Sequence, residues 1–315
     1  MLAPRASSTI NTRVFSTGRI WQTFWRDPKR GWSAAYFDAT VLPLIDRWSW
    51  PFSSDALQST PVHVLTGNDE WRRTAWLLAS WFHFTECSWP VVLHDDGTLS
   101  EEARSVFHKM FPSARVIGRT EADAAMIPKL QAFPFCADFR RQHPRALHLF
   151  DIPHFAKTKR FIVFQTGLLF FNHPREILDW VSVVSDDCWF QEDAQERSLI
   201  TAAEARAELD VKIWPRVHSG LSLLTKSAID LDFCDRALAQ TSIPTGEPKL
   251  IEQTLLMLCA AQHGRGGLLP RKYEVSLTRQ ATPEAVSRYY VNNVRDRYFT
   301  EGLARLGGIF FPKEP

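Results

Sequence analysis

The stretch FIVFQTGLLFF, residues 161–171, runs from apolar to apolar through Gln165, Thr166 and Gly167. An amide that donates and accepts, a hydroxyl, and a residue with no side chain are types that let a buried backbone meet a ligand. Other apolar runs end similarly: PVHVLTG in Thr66-Gly67, WPVVLHDDG in Asp95-Asp96-Gly97, and DWVSVVSDD in Ser185-Asp186-Asp187. A DDG trio alone suits a turn. Four polar strand ends on one rim would make a pocket, because ligands of open α/β sheets bind beyond the carboxyl ends of the strands.

Several familiar chemistries are absent. No GxxxxGK[ST] loop exists to cradle a phosphate, no GxGxxG follows the first strand, and GxSxG and HExxH do not occur. GRGG at 264–267 follows a helical pattern and reads as a flexible turn. The ten histidines lack metal-ligand spacing. A net charge of +2 gives no footprint for nucleic acid. Five cysteines without a CxxC pair argue against a disulfide framework or structural zinc and point to a reducing, cytoplasmic setting. No run of 18 apolar residues marks a membrane span. Arg5, Arg13, Arg19 and Arg26, with no acidic residue among the first 26, resemble a transit peptide superficially. Without clear amphipathic periodicity the segment reads better as a basic arm.

The elements that must hold these residues follow from periodicity. With 45% hydrophobic and 23% charged residues, the 315-residue chain can bury a large core. Residues 1–60 read as an irregular, Trp-rich N-terminal extension, whose Trp21, Trp25, Trp32, Trp48 and Trp50 either cap the core or form a partner surface. From 61 onward strands and helices alternate. Strands fall at 61–67, 89–97, 114–119 and 159–171, separated by amphipathic helical patterns, one of them capped by Ser100. That alternation predicts βαβ units and a mostly parallel sheet flanked by helices. The C-terminal half is mixed α/β: EILDWVSVVSDD passes from helix to strand, HSGLSLL is a strand, and EPKLIEQTLLMLCAAQHG is a helix closed by Gly264. LLPRKYEVSL is a further strand.

In this order the segments resemble the GT-A glycosyltransferases, which take a sugar from a nucleotide-sugar donor, and are most similar to bacterial members with a glycogenin-like arrangement. The resemblance rests on VHVLTG, on VVLHDDGTLS, on the outline of FIVFQTGLLFFNHPREILDWV, on VHSGLSLLTKSAIDLDF, on IEQTLLML and on the closing RYYVNNVRDRYFTEGLARL. It spans residues 61–306 and leaves 307–315 as a tail. It implies a Rossmann-related, mostly parallel sheet, a nucleotide-diphosphate sugar as partner and an acceptor left unidentified. In the family two DxD carboxylates hold a divalent cation, Mn or Mg, on the donor diphosphate. Here those positions are Gln165 and Gly167, the family's His is Tyr289, and the Asn of its NSG strand is His218. No metal site is therefore carried over.

A diphosphate still needs its charge met, and arginine or lysine can do so. Lys157 and Arg160 before the strand and Arg295 near the C-terminus are the candidates, with Lys159, Arg288 and Arg297 beside them. By resemblance, Thr66, Gly67, Asp95, Asp96, Gln165, Thr166, Gly167, Ser219 and Gly220 surround the nucleotide sugar, with His218 and Glu252 at the chemistry. Glu252 faces the acceptor as base or positioning group, or merely complements a helix N-terminus. The function expected is transfer of a sugar, hexosyltransferase-like, with two options for the diphosphate: no metal at all, or a divalent cation, Mn or Mg, held without the usual ligands. The alternative is a non-catalytic nucleotide- or glycan-binding protein that kept the fold. A nucleotidyltransferase would need the same paired carboxylates, so their loss counts against it.

Overall fold

The computed structural model describes residues 17–26, 29, 31–49, 59–277, 280–291 and 294–312; Arg5, Arg13, Trp50 and residues 313–315 lie outside them. The centre is a seven-stranded sheet in the order β3-β2-β1-β4-β7-β6-β8. Its strands are β1 (Val62–Thr66), β2 (Val91–Asp95), β3 (Arg115–Ile117), β4 (Arg160–Phe164), β6 (Cys188–Glu192), β7 (Val217–Thr225) and β8 (Gly266–Leu268). β1, β2, β3 and β4 are parallel, and Thr66 sits in register with Asp95, so two polar strand ends share a level. β7 runs antiparallel to β4 and β6, with Phe164 opposite Leu221 and Gln191 opposite His218. Its start, not its end, thus reaches the rim where β1, β2, β4 and β6 finish. A smaller sheet joins β5 (Leu168–Phe170), β10 (Ser287–Tyr290) and β9 (Tyr273–Ser276).

Much of the aromatic load fills the core, as expected. The helix Trp71–Thr85 buries Trp71, Trp76 and Trp81. Trp81 packs on Trp89, Phe164 and Phe170 with ring centroids 4.7, 5.1 and 4.9 Å away. Trp76 donates its indole N–H to the Leu42 carbonyl at 2.9 Å, so the polar edge of a buried ring is satisfied. The helix Ala304–Phe310 crosses from 306 into the expected tail, and Phe310 stacks on Trp76 at 5.6 Å.

Ser100 caps its helix through the Ala103 N–H, and Gly264, at φ +77°, closes Pro248–His263. Other expectations are corrected. Residues 1–60 are not irregular throughout: Thr17–Arg26 and Gly31–Thr40 are helices, followed by a short 3₁₀ segment, Leu42–Arg47. GRGG is no loose turn; it enters β8, an edge strand whose Gly266, at φ +119°, leaves no space for a Cβ beside Cys188. SVVSDD is not a strand: the helix Arg175–Ser182 ends, Val184 is fully exposed, and β6 starts only at Cys188. A β-branched run resembles a strand, but this one has nothing to pack against. No helix among the described residues is long and apolar enough to cross a membrane.

Three short helices, Pro134–Gln142, Ala146–Leu149 and Asp151–Phe155, fill the link between β3 and β4. Buried Arg140 forks onto Asp151 at 2.6 and 2.8 Å and adds Asp123 at 2.7 Å, which fixes the turn at 143–145. Burial pushes the Asp151 carboxyl up while Arg140 pulls it down, burial being the larger influence. Removing one partner of such a pair leaves a buried charge uncompensated. Asp151→Asn is therefore expected to lose about 3 kcal/mol of stability, read as a lower urea midpoint with an unchanged slope.

Candidate active site

The ends of β4 and β6 and the start of β7 surround a cavity of about 340 Å³. Gln165, the residue after β4, is buried at its base. Its carbonyl oxygen accepts from Arg145 Nη1 at 3.0 Å and from the Tyr289 hydroxyl at 3.4 Å. Its amide nitrogen donates to Ser219 Oγ at 3.0 Å and to the Glu252 carboxyl at 3.3 Å. The Ser219 hydroxyl in turn donates a hydrogen bond to Glu252 Oε2 at 3.2 Å. One neutral side chain thus links a guanidinium on one side to a carboxyl on the other.

Glycine makes the arrangement compact. Gly167 lies at φ +151°, a conformation that favours a residue without Cβ, and passes beneath the Tyr289 ring. A Cβ on Gly220 would stand 2.5 Å from Tyr289 and 2.6 Å from the His218 ring. Those rings meet at 4.5 Å. His218 Nδ1 accepts the Gly220 N–H at 3.1 Å, and burial lowers the imidazole to about 3, so it stays neutral. Burial raises Glu252 to about 7, opposed by Arg145 and by the bonds from Ser219 and Gln165. Near neutral pH this carboxyl is divided between its protonated and ionised forms. Asp193, at the end of β6, also lies on the wall, its carboxyl raised by burial.

The wall carries Arg73, Arg145, Arg197, Lys249 and Arg295 against Glu70, Asp193 and Glu252, an excess of positive charge. Thr66, Gly67 and Asp96 line a side cavity of about 90 Å³, with Gln165 and Thr166 shared between the two. Thr166 donates to Glu70 at 2.5 Å. Asp96 accepts from the Thr98 amide and hydroxyl at 2.9 and 2.6 Å. Asp95 faces inward instead: it accepts the amides of Gly97 and Leu99 and pairs with Arg104, which fixes the turn and takes its oxygens from the cavity.

Of the expected residues, the structure brings Gln165, Thr166, Gly167, His218, Ser219, Glu252 and Arg295 to the main cavity. It does not bring Lys157 and Arg160 there. Lys157 precedes β4 and Arg160 opens it, while the site lies at the strand's other end, so the length of the strand separates them from it. Arg160 instead lies 3.9 Å over Trp180 and donates to the carbonyls of Trp180 and Val183. Ser185, Asp186 and Asp187 precede β6 and fall on that same far rim, where Asp187 holds Arg265 at 3.2 Å. The sequence reading missed Arg145, Arg73, Arg197, Lys249, Glu70 and Asp193. For Lys249 the EQT helix itself was a signal, because it lies three residues before Glu252.

The triplet does not suit a divalent cation. The Gln165 oxygen already receives two donors, one a guanidinium that would repel the ion, and Gly167 has no ligand to offer. Among the described residues no group of three His, Cys, Asp or Glu stands ready for a metal.

No protein-family model matches the chain, and no curated protein matches it in sequence. Solved structures do. Mouse xyloside xylosyltransferase 1 is similar at a TM-score of 0.51 and 11% identity, over 75% of this chain and 98% of that one. The galactosyltransferase LgtC, solved with donor and acceptor sugar analogues, gives 0.52 and 10% over 81% and 98%. The bifunctional glycosyltransferase WbbM gives 0.53 and 11% over 81% of this chain, which spans 51% of WbbM. At such identities the likeness is one of fold. This chain's mostly parallel sheet with one reversed strand, flanked by helices, matches those structures in fold: its fold is that of the GT-A glycosyltransferases.

Proposed function

We propose that the chain is a glycosyltransferase that moves a sugar from a nucleotide-diphosphate sugar to an acceptor, with cationic side chains meeting the diphosphate in place of a divalent ion. The observation that carries this is one cavity that unites a triplet without carboxylates and the cations Arg73, Arg145, Arg197, Lys249 and Arg295. As the bond between the anomeric carbon and the diphosphate oxygen breaks, its electron pair stays on the leaving nucleotide. Guanidinium groups fixed in advance stabilise that charge without reorganising. The sugar becomes oxocarbenium-like, and a nearby carboxylate favours it. Glu252 supplies that carboxylate, or takes the acceptor's hydroxyl proton, and Gln165 and Ser219 hold it in place. Thr66 and Asp96, in the side cavity, fit the ribose or base. Arg145, Arg73, Arg197 and Lys249 replace Lys157 and Arg160 in the diphosphate role.

The test is a thermal-shift titration with UDP-, GDP- and dTDP-sugars, with and without manganese. One donor class is expected to raise Tm without manganese and no further with it. If no nucleotide sugar moves Tm, the donor site falls; a strict manganese requirement would sink the cation-free reading alone.

Arg145→Ala is expected to weaken donor binding at least about tenfold by calorimetry, since it removes a charge-assisted contact. Lys157→Ala, on the far rim, should leave it unchanged. Equal effects from both would overturn the assignment.

Glu252 gives a pH prediction. Its folded value of about 7 lies above the ordinary 4.5, so the folded state holds the extra proton between them. Stability is fully present below pH 4.5 and declines as pH rises through 7, by on the order of 3 kcal/mol. Glu252→Gln should therefore melt above the parent chain at pH 8, and the gap should close at pH 5. The same substitution should abolish the limb near pH 7 in donor turnover.

A further inference from the structure

The helix Thr17–Arg26 leaves part of its apolar side exposed, with Ile20 and Phe24 half-buried. Trp21 is 50% and Trp25 68% exposed, and Trp32 (46%) and Tyr36 (47%) of the next helix extend the patch. The Trp21 and Trp32 rings meet at 5.0 Å, and Phe24 joins them 5.5 Å from Trp32. Four large aromatics on one hairpin exceed the scattered apolar exposure of an ordinary surface. Positive charge is in excess along this segment: between residues 10 and 40 the sequence has Arg13, Arg19, Arg26, Lys29 and Arg30 against Asp27 and Asp38, and of these Arg26 pairs with Asp38 at 3.4 Å while Arg19 and Lys29 are exposed. A second copy of the chain would set like charges face to face. A layer of phosphate headgroups would not, and aromatic rings settle at the boundary between headgroup and acyl chain.

We propose that this hairpin is a docking surface for an anionic phospholipid bilayer. Arg26, Asp38 and Leu42 also wall a cleft of about 600 Å³ whose other side includes Glu70, Arg73 and Arg295 of the active-site cavity. Docking therefore sets the mouth of that cleft beside the bilayer. Resting on the donor-site reading above, an acceptor carried by a lipid would reach the site there.

The test is co-sedimentation of the full chain with vesicles, without any nucleotide sugar, so its failure is independent of the donor titration. Phosphatidylglycerol vesicles should take up the chain at least about tenfold better than pure phosphatidylcholine, and 0.5 M salt should reduce the difference. Trp21→Ser with Trp25→Ser should release the chain from the vesicles with Tm unchanged. Arg19→Glu with Lys29→Glu, at exposed cations, should do the same. The proposal is overturned if the parent chain stays in the supernatant, or if both double variants sediment as it does. It is also overturned if light scattering finds a dimer that the tryptophan variant dissolves while vesicles bind neither.

Discussion

A buried carboxyl with a guanidinium across from it constrains everything around residue 165. Glu252 is fully enclosed, and burial makes its ionised form expensive. A carboxylate at 165 would place a second negative charge about a hydrogen bond's length from the first. An amide avoids this, because it has opposite faces: its oxygen takes the Arg145 N–H and its nitrogen serves Ser219 and Glu252. The neutrality of the FIVFQTGLLFF stretch is thus a requirement of its surroundings. The stretch bridges Arg145 and Glu252 through one uncharged side chain.

The geometry that brings those partners together is a matter of strand direction. Only because β7 runs against β4 does His218-Ser219-Gly220, at the head of a strand, meet Gln165, at the foot of another. The Gln165 N–H donating to the Gly220 carbonyl at 2.9 Å is the last rung of that ladder. From there Tyr289, on the smaller sheet, closes over Gly167 and Gly220, and two absent side chains make its position available. The Arg140–Asp151 fork acts from behind, holding the turn that aims Arg145 inward. Sheet, helices and glycines converge on one amide.

Legibility in the sequence varied with the range of the interaction. The parallel strands, the Ser100 cap and the Gly264 closure were readable because period and capping are local properties. So was the polar triplet, since three polar residues inside an apolar run stand out without any partner in view. Failures came where chain direction or packing decides. SVVSDD has strand composition yet no sheet edge to join, and Lys157 and Arg160 are close to Gln165 in sequence but a full strand away in space. Arg145 could not be singled out among the basic residues, because nothing beside it in the chain shows what it faces.

What the sequence determined by itself is the α/β order of the segments and the absence of charge at residues 165–167, both carried by residue type and spacing. Tertiary structure decided which cations and which carboxyl gather around those residues. Those contacts join residues 20 to 124 positions apart, linked by sheet register and helix packing, and no local pattern encodes such a meeting.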